Sequence, residues 1–399
     1  MILSAGSIAA LAPFNIVRAQ SQRLKIGVLL PKSGFQGLIG QSCQKGADLA
    51  PAVIKELLAV DVELMNADTE TNVDTARTRA ERLIQEGAHC LVGPFDSGAA
   101  AAIAQVAEQR SVPFVINIAA APQITEQGYK FVFRNFPVAT ELVRNGLTLT
   151  DDLFRATNTT PRTAVFMHVN DTFGQANAKA IQAILPQLKL PFKLLETIAY
   201  DPAAKDLTVE VSKAKATKAD FLLLVSRLND AIVLRREIVK QRWNIMGVIS
   251  PGSPGMYENQ YFQALGKLSD HCISNVPWYD PKAPLTKTVE VAFKKQNPKD
   301  QLRLHALNVG YTFEAILIVA DAYKRAKATD SSALTEAIRQ TEIKNRVMIG
   351  GAIKFNTKGQ VEGNLSACIQ NQGQKPVVVL PAASAEAKPV FPWSEYKKI

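Results

Sequence analysis

Apolar and polar positions along this chain fall into blocks with two different periods. Short apolar runs at 24–30, 89–92 and 112–118 have the length and content of strands buried on both faces. Further strands are expected at 61–66 and 131–134. Between them, apolar residues recur every three or four positions. Ala47, Ala50, Val53, Ile54, Leu57 and Leu58 mark a helix over 41–58, which Pro51 should kink or start late, after a Gly-rich loop at 31–40. Ala76, Ala80, Leu83 and Ile84 mark a second, begun by Asn72 or Asp74. The clearest unit is 87–122, where a strand is broken by Gly93, Pro94 and Asp96. Ser97 and Gly98 then open an alanine-rich helix that ends near Arg110, before the next strand. Such crossovers build parallel sheets.

After Asn135-Phe136-Pro137 the alternation starts again, with strands at 163–168, 192–198, 221–225 and 246–249. Helices fill the gaps, running to about 188, over 207–216, and from Asn229 or Asp230 to Trp243. Two successive series of βα units predict two lobes of similar architecture. From His271 the pattern changes to a strand at 272–276, helices at 284–295, 304–326 and 332–340, and strand-like pieces at 352–355, 367–370 and 377–380. The final residues, 381–399, are rich in Pro and Ala and read as a loose tail.

Parallel sheets bind small ligands beyond the carboxyl ends of their strands, near helix N-termini whose free amides attract anions. Ser97 stands at such a mouth, where it could bind a ligand or cap its helix. Arg227 directly follows the strand at 221–225. Its guanidinium could clasp a carboxylate through two parallel hydrogen bonds, or pair with Asp230.

Composition narrows the picture. A chain of 399 residues with 47% hydrophobic and 21% charged residues is globular and long enough for two domains. Its net charge of +10 is spread along predicted helices, with no five-residue basic block, which argues for a solvated surface rather than a nucleic-acid groove. Cys43, Cys90, Cys272 and Cys368 lack metal-ligand spacing and allow zero, one or two disulfides, Cys90 reading as a free buried thiol. His89, His168, His271 and His305 are far apart, with His168 alone placed to face a cleft. No dinucleotide, phosphate-cradle or nucleophile-elbow motif is present, so no cofactor, metal or catalytic residue is assigned. Residues 1–19 are apolar, small-residue-rich and end in Val17-Arg18-Ala19, as an export signal does, although the positive charge expected at its start is missing. No other stretch reads as long and apolar enough to cross a bilayer.

The stretches LKIGVLLPKSGFQGLIGQSCQKGADLA, NADTETNVDTARTRAERLI, LVGPFDSGAAAAIAQVAEQRSVPFVI, VNDTFGQANAKAI, ADFLLLV, NVGYTFEAILIVADAY and GGAIKFNTKGQ fall in one order. That order resembles the type I periplasmic solute-binding proteins of ABC transporters, in the branched-chain amino acid and amide class. The resemblance implies an α/β fold of two Rossmann-like lobes joined by a three-strand hinge. The lobes would hold 20–136 with 281–345, and 140–275 with 347–380. It implies a monomeric, periplasmic binding protein, not an enzyme, that closes on a small carboxylate and serves an inner-membrane ABC permease; the alternative is a sensing domain feeding a receptor. Carried over by position, the ligand site would use Phe35 to Ile39, Ser97, and Ala119, Ala120 and Ala121 from one lobe. The other lobe would give Phe173, Arg227 or Leu228, and Gly252-Ser253. Amino acid binders of this class place an acid near the last position, where this chain has Pro251-Gly252-Ser253, and a Tyr where Phe173 stands. A buried ammonium without a carboxylate is costly. The departure favours a carboxylate ligand with an apolar or aromatic body.

Overall fold

Strands β1 (Leu24–Leu30) and β3 (Cys90–Gly93) are apolar and buried almost throughout because helices cover both faces of their sheet. The computed structural model describes residues 23–393. With β2 (Val62–Asp68), β4 (Phe114–Ile116) and β5 (Val132–Arg134) these strands form a parallel sheet in the order β2-β1-β3-β4-β5. Its crossovers are α1 (Gly37–Leu58), α2 (Val73–Gln85) and α3 (Ser97–Gln109). Helix α4 (Ala139–Ala156) leads into the second sheet. That sheet holds β6 (Thr163–Val169), β7 (Lys193–Tyr200), β8 (Phe221–Val225), β9 (Val248–Ser250) and β10 (Ile273–Pro277), all parallel. Helices α5 (Thr172–Ile184), α6 (Thr208–Ala216), α7 (Leu228–Lys240) and α8 (Asn259–Leu265) connect them.

The chain then returns to the first lobe. Helix α9 (Pro284–Gln296) and α10 (Ala306–Ala326) pack on α1, and α11 (Ser331–Arg339) packs on α10. Strands β11 (Ser366–Asn371) and β12 (Pro376–Leu380) add antiparallel to the second sheet, giving β12-β11-β10-β9-β8-β6-β7. Helix α10 is apolar on all sides. By length and composition Leu302–Ala326 could cross a bilayer, contrary to the sequence reading, but here it is buried inside the protein. A fully buried acid interrupts it. Glu314 is fully buried, and its carboxylate accepts from Arg346 Nη2 at 2.8 Å, the Val347 amide at 2.8 Å and Asn135 Nδ2 at 3.2 Å. A buried charge so partnered pins two interlobe connections to one helix.

Several elements differ from expectation. Helix α1 starts at Gly37, inside the predicted loop, and runs through Pro51, because Ala47, Ala50, Val53 and Ile54 are buried in the core. Helices α4 and α8 were not anticipated. Residues 352–355 form isolated bridges rather than a strand, with Ile353 opposite Ile343 and Phe355 opposite Val361. Around them, Gln360 pairs with Arg134 of β5, so this stretch lies against the first sheet before the chain reaches β11. The expected loose tail is fastened at least as far as Trp393. Phe391 packs on Phe154 at 5.3 Å, and the Trp393 amide donates to the Met246 carbonyl at 2.7 Å. Buried rings hold this segment despite its Pro and Ala content. The proposed export signal and residues 394–399 lie outside the described residues.

Candidate functional site

In each sheet, strand order reverses beside the first strand of its series, between β1 and β3 in one and between β6 and β8 in the other. Open α/β sheets offer a crevice at such points, beyond the strand carboxyl ends. Here the two crevices face each other around a narrow cavity of about 10 Å³. Phe95 after β3, Ile118 and Ala120 after β4, Phe136 after β5 and Leu307 at the start of α10 line one side. The other side is Phe173 after β6, Arg227 after β8, and Gly252, Pro254 and Tyr257 after β9. Arg227 is the one charged residue in this lining.

Arg227 is 4% exposed and its side chain bridges the lobes. Its Nη2 lies 2.9 Å from Asp171 Oδ2 and 3.5 Å from Asp96 Oδ2, while its guanidinium sits over Phe173 at 4.4 Å and Phe95 at 5.0 Å. Burial alone would pull its pKa down; Asp171 and Asp96 outweigh that and hold it above the ordinary arginine value. Each acid also caps a helix. Asp171 Oδ1 accepts from the Gly174 amide at 2.7 Å and Asp96 Oδ1 from the Ala99 amide at 2.8 Å. The cleft is closed by two more links, Asn229 Nδ2 to the Phe35 carbonyl at 2.6 Å and Asn308 Nδ2 to Glu258 Oε1 at 2.7 Å.

Two glycines set the loop after β9. Gly255 has φ +107°, and a Cβ there would come within 2.5 Å of the Arg227 carbonyl oxygen. Gly146 lets α4 approach so closely that a Cβ would lie 2.5 Å from the Pro251 carbonyl oxygen. Beyond that loop, Glu258 ends a buried chain of polar groups. Asn308 Nδ2 also reaches Ser42 Oγ at 3.3 Å, Ser42 Oγ contacts His305 Nδ1 at 2.8 Å, and His305 Nε2 meets Asp300 Oδ2 at 2.8 Å. Lys45 pairs with the same Asp300. Burial pushes Glu258 up to about 8, offset only in part by Asn308 and Lys45. Burial, then the Lys45 charge, takes His305 down to about 4.

The periplasmic binding protein family profile matches residues 23–373. The chain belongs to the periplasmic binding protein family. It is 24% identical over 379 residues to Leu/Ile/Val-binding protein homolog 7 of Brucella suis, covering 92% of this chain and 93% of that one. Among solved structures, the leucine binding protein LivK of Thermotoga maritima superposes with a TM-score of 0.76 at 21% identity, over 89% of this chain and 97% of that one. A solute binding protein of an ABC transporter from R. palustris, solved with benzoate, gives 0.75 at 18% identity, over 92% and 98%. Members of this family are binding proteins, not enzymes.

Of the residues singled out from the sequence, this binding protein brings Ala120, Phe173 and Arg227 to the cavity wall. Ser97 is the first residue of α3 and not its cap, a role Asp96 takes. Its Oγ accepts from the Ala120 and Ala121 amides at 3.2 and 3.3 Å, so in this closed arrangement those amides are already engaged. The Ala119 and Ala121 carbonyls accept from Arg134 Nη1 at 3.2 and 2.7 Å. Phe35 is exposed at the cleft rim and Ile39 is in the core. Ser253 is wholly buried, its Oγ accepting from the Ser226 amide at 3.1 Å and lying 2.7 Å from Ser250 Oγ, while its neighbours Gly252 and Pro254 face the cavity. The alternative partner for Arg227, Asp230, bonds its backbone amide at 2.9 Å and not its guanidinium. His168 stacks on Phe166 and bonds the Val169 carbonyl, outside the cavity lining. All four cysteines are free and buried. Sequence reasoning missed Phe95, Ile118, Phe136, Tyr257 and Leu307. The first three each follow a strand end, a signal that was there to use.

Proposed function

We propose that this protein is the extracytoplasmic substrate-binding component of an ABC importer, closing two lobes on a small molecule with a carboxylate and an apolar or aromatic body. The observation that carries the reading is the cavity itself, ringed by Phe95, Phe136 and Phe173, with Arg227 as its one charged lining group. The Arg227 hydrogen bonds use Nε and Nη2, which leaves Nη1 for a ligand oxygen. Ser97 Oγ accepts two amides, so its proton is the group it has to offer a carboxylate. The position just after β9 carries Gly252 and no acid. The Brucella and Thermotoga relatives are named for branched-chain amino acids and the R. palustris structure holds benzoate; both ligand types carry a carboxylate. Ligand capture would draw Arg227 and Asp96 together across the cleft, a hinge closure of the kind that sequesters ligands between lobes.

A thermal-shift screen over amino acids, aliphatic acids and aromatic acids tests this, because a ligand bound only to the folded state raises the melting temperature. At least one acid should raise it in the parent and fail to do so in Arg227→Met. Equal shifts in both proteins would overturn the assignment of Arg227 as the ligand's partner, and no shift with any acid would overturn the reading.

A further inference from the structure

The cavity wall formed by Phe136, Leu307 and Tyr257 adjoins a group of buried polar atoms that make no hydrogen bond to protein. Tyr257 OH, Glu258 Oε2 and Tyr311 OH are all in this state. Tyr257 is 2% exposed, Glu258 1% and Tyr311 0%. Tyr257 and Glu258 are adjacent in the chain, and Tyr311 stands one helical turn after Leu307 on α10. Tyr257 feels the charges of Glu258, Cys43 and Tyr311, and Tyr311 stacks edge-on against Phe136 with ring centres 4.8 Å apart. The groups acting on Tyr257 and Glu258 come from α1 (Cys43, Lys45) and α10 (Asn308, Tyr311).

Buried polar atoms are nearly always partnered, and three orphans beside a ligand cavity ask for a ligand group. Asn308 holds the other Glu258 oxygen, fixing the carboxyl in place. Resting on the carboxylate reading above, we infer that Tyr257, Glu258 and Tyr311 form a second polar subsite, which takes an uncharged oxygen function, a hydroxyl or carbonyl, on the body of the ligand acid. An uncharged group suits this place because a carboxyl group this deeply buried favours its protonated form, an O–H donor at neutral pH. Two tyrosine hydroxyls can donate or accept beside it. The subsite would select between acids of equal size by one oxygen atom.

Titration calorimetry with matched pairs tests the inference: benzoate against 4-hydroxybenzoate, phenylacetate against 4-hydroxyphenylacetate, hexanoate against 6-hydroxyhexanoate, with leucine and phenylalanine as zwitterions. In at least one pair the hydroxylated acid should bind roughly tenfold or more tightly, since a site built around a hydroxyl rejects the analogue lacking it. Glu258→Gln, which stays neutral, should keep that preference, and Tyr257→Phe should reduce it. Equal binding within every pair would overturn the subsite while leaving the carboxylate reading intact. Tightest binding by a zwitterion, abolished in Glu258→Gln, would make this an ammonium site and overturn the inference. Binding by none of the compounds would overturn the carboxylate reading, and the inference with it.

Discussion

Two arginines are buried near the same cleft, and they are stabilised in opposite ways. Arg134 is fully buried in the first lobe and has no ion pair among the described residues. Its guanidinium donates to Gln360 Oε1 at 2.7 Å, Thr125 Oγ1 at 2.6 Å and the Ala119 and Ala121 carbonyls. Burial pulls it down to about 9, still charged at neutral pH. Arg227, on the second lobe, faces two carboxylates and two rings and reaches into the other lobe. A cage of neutral acceptors within one lobe holds a loop permanently. An ion cluster divided between lobes can be assembled and taken apart, and that division is what a closing device needs.

Breaking each contact should separate the two roles. Arg134→Met leaves two carbonyls, Gln360 and Thr125 without their donor, and should lower stability by about 3–5 kcal/mol in chemical denaturation. A loss under about 1 kcal/mol would mean the cage is not structural. Ser97→Ala strips the acceptor from two buried amides, for a loss of roughly 1–3 kcal/mol. If Ser97 also donates to the ligand, affinity falls too, and a mutant that loses stability alone removes Ser97 from the site. Arg227→Met should cost stability less, about 1 kcal/mol, because Asp171 and Asp96 are partly exposed and each keeps its helix-capping bond. Its effect belongs instead to closure, visible as a missing compaction in X-ray scattering when ligand is added.

The pH dependence sharpens the contrast, since Glu258 and His305 belong to the same interlobe chain. A carboxyl raised to about 8 gives stability that is full below its unfolded value of 4.5 and is lost as pH rises through 8. A histidine lowered to about 4 gives stability present above 6.5 and lost as pH falls through 4. Glu258→Gln should therefore match the parent melting temperature near the acid end and exceed it by a few degrees near pH 8. A constant offset across that range would show that Glu258 does not titrate as buried.

Much of this was legible in the residues. The unit from Cys90 to Ile116 declared itself through an apolar run, a Gly-Pro break and an alanine-rich helix, and Arg227 was placed at the cleft by following a buried strand directly. The failures have physical causes. Helix α4 carries Gly146, Thr148 and Thr150, which weaken its local propensity, and owes its form to Leu142, Val143, Leu147 and Phe154 packed against the second lobe. Tyr257 and Glu258 follow a three-residue strand and a Gly-Pro loop whose path depends on Gly252 and Gly255 at positive φ. Leu307 comes from a helix far along the chain, and no local pattern points from it to the cleft. Nor could the sequence say that Ser97 Oγ would accept from the Ala120 and Ala121 amides.

The central claim is that Arg227 recognises the ligand's negative charge in the cavity between the lobes. The most direct test pairs the tightest acid from the screen with its neutral primary amide, in the parent and in Arg227→Met, by titration calorimetry. In the parent the acid should bind about 10- to 100-fold more tightly than the amide, the worth of a charge-assisted hydrogen bond. In Arg227→Met that preference should collapse. The same preference in both proteins would contradict the account and place the carboxylate's partner elsewhere.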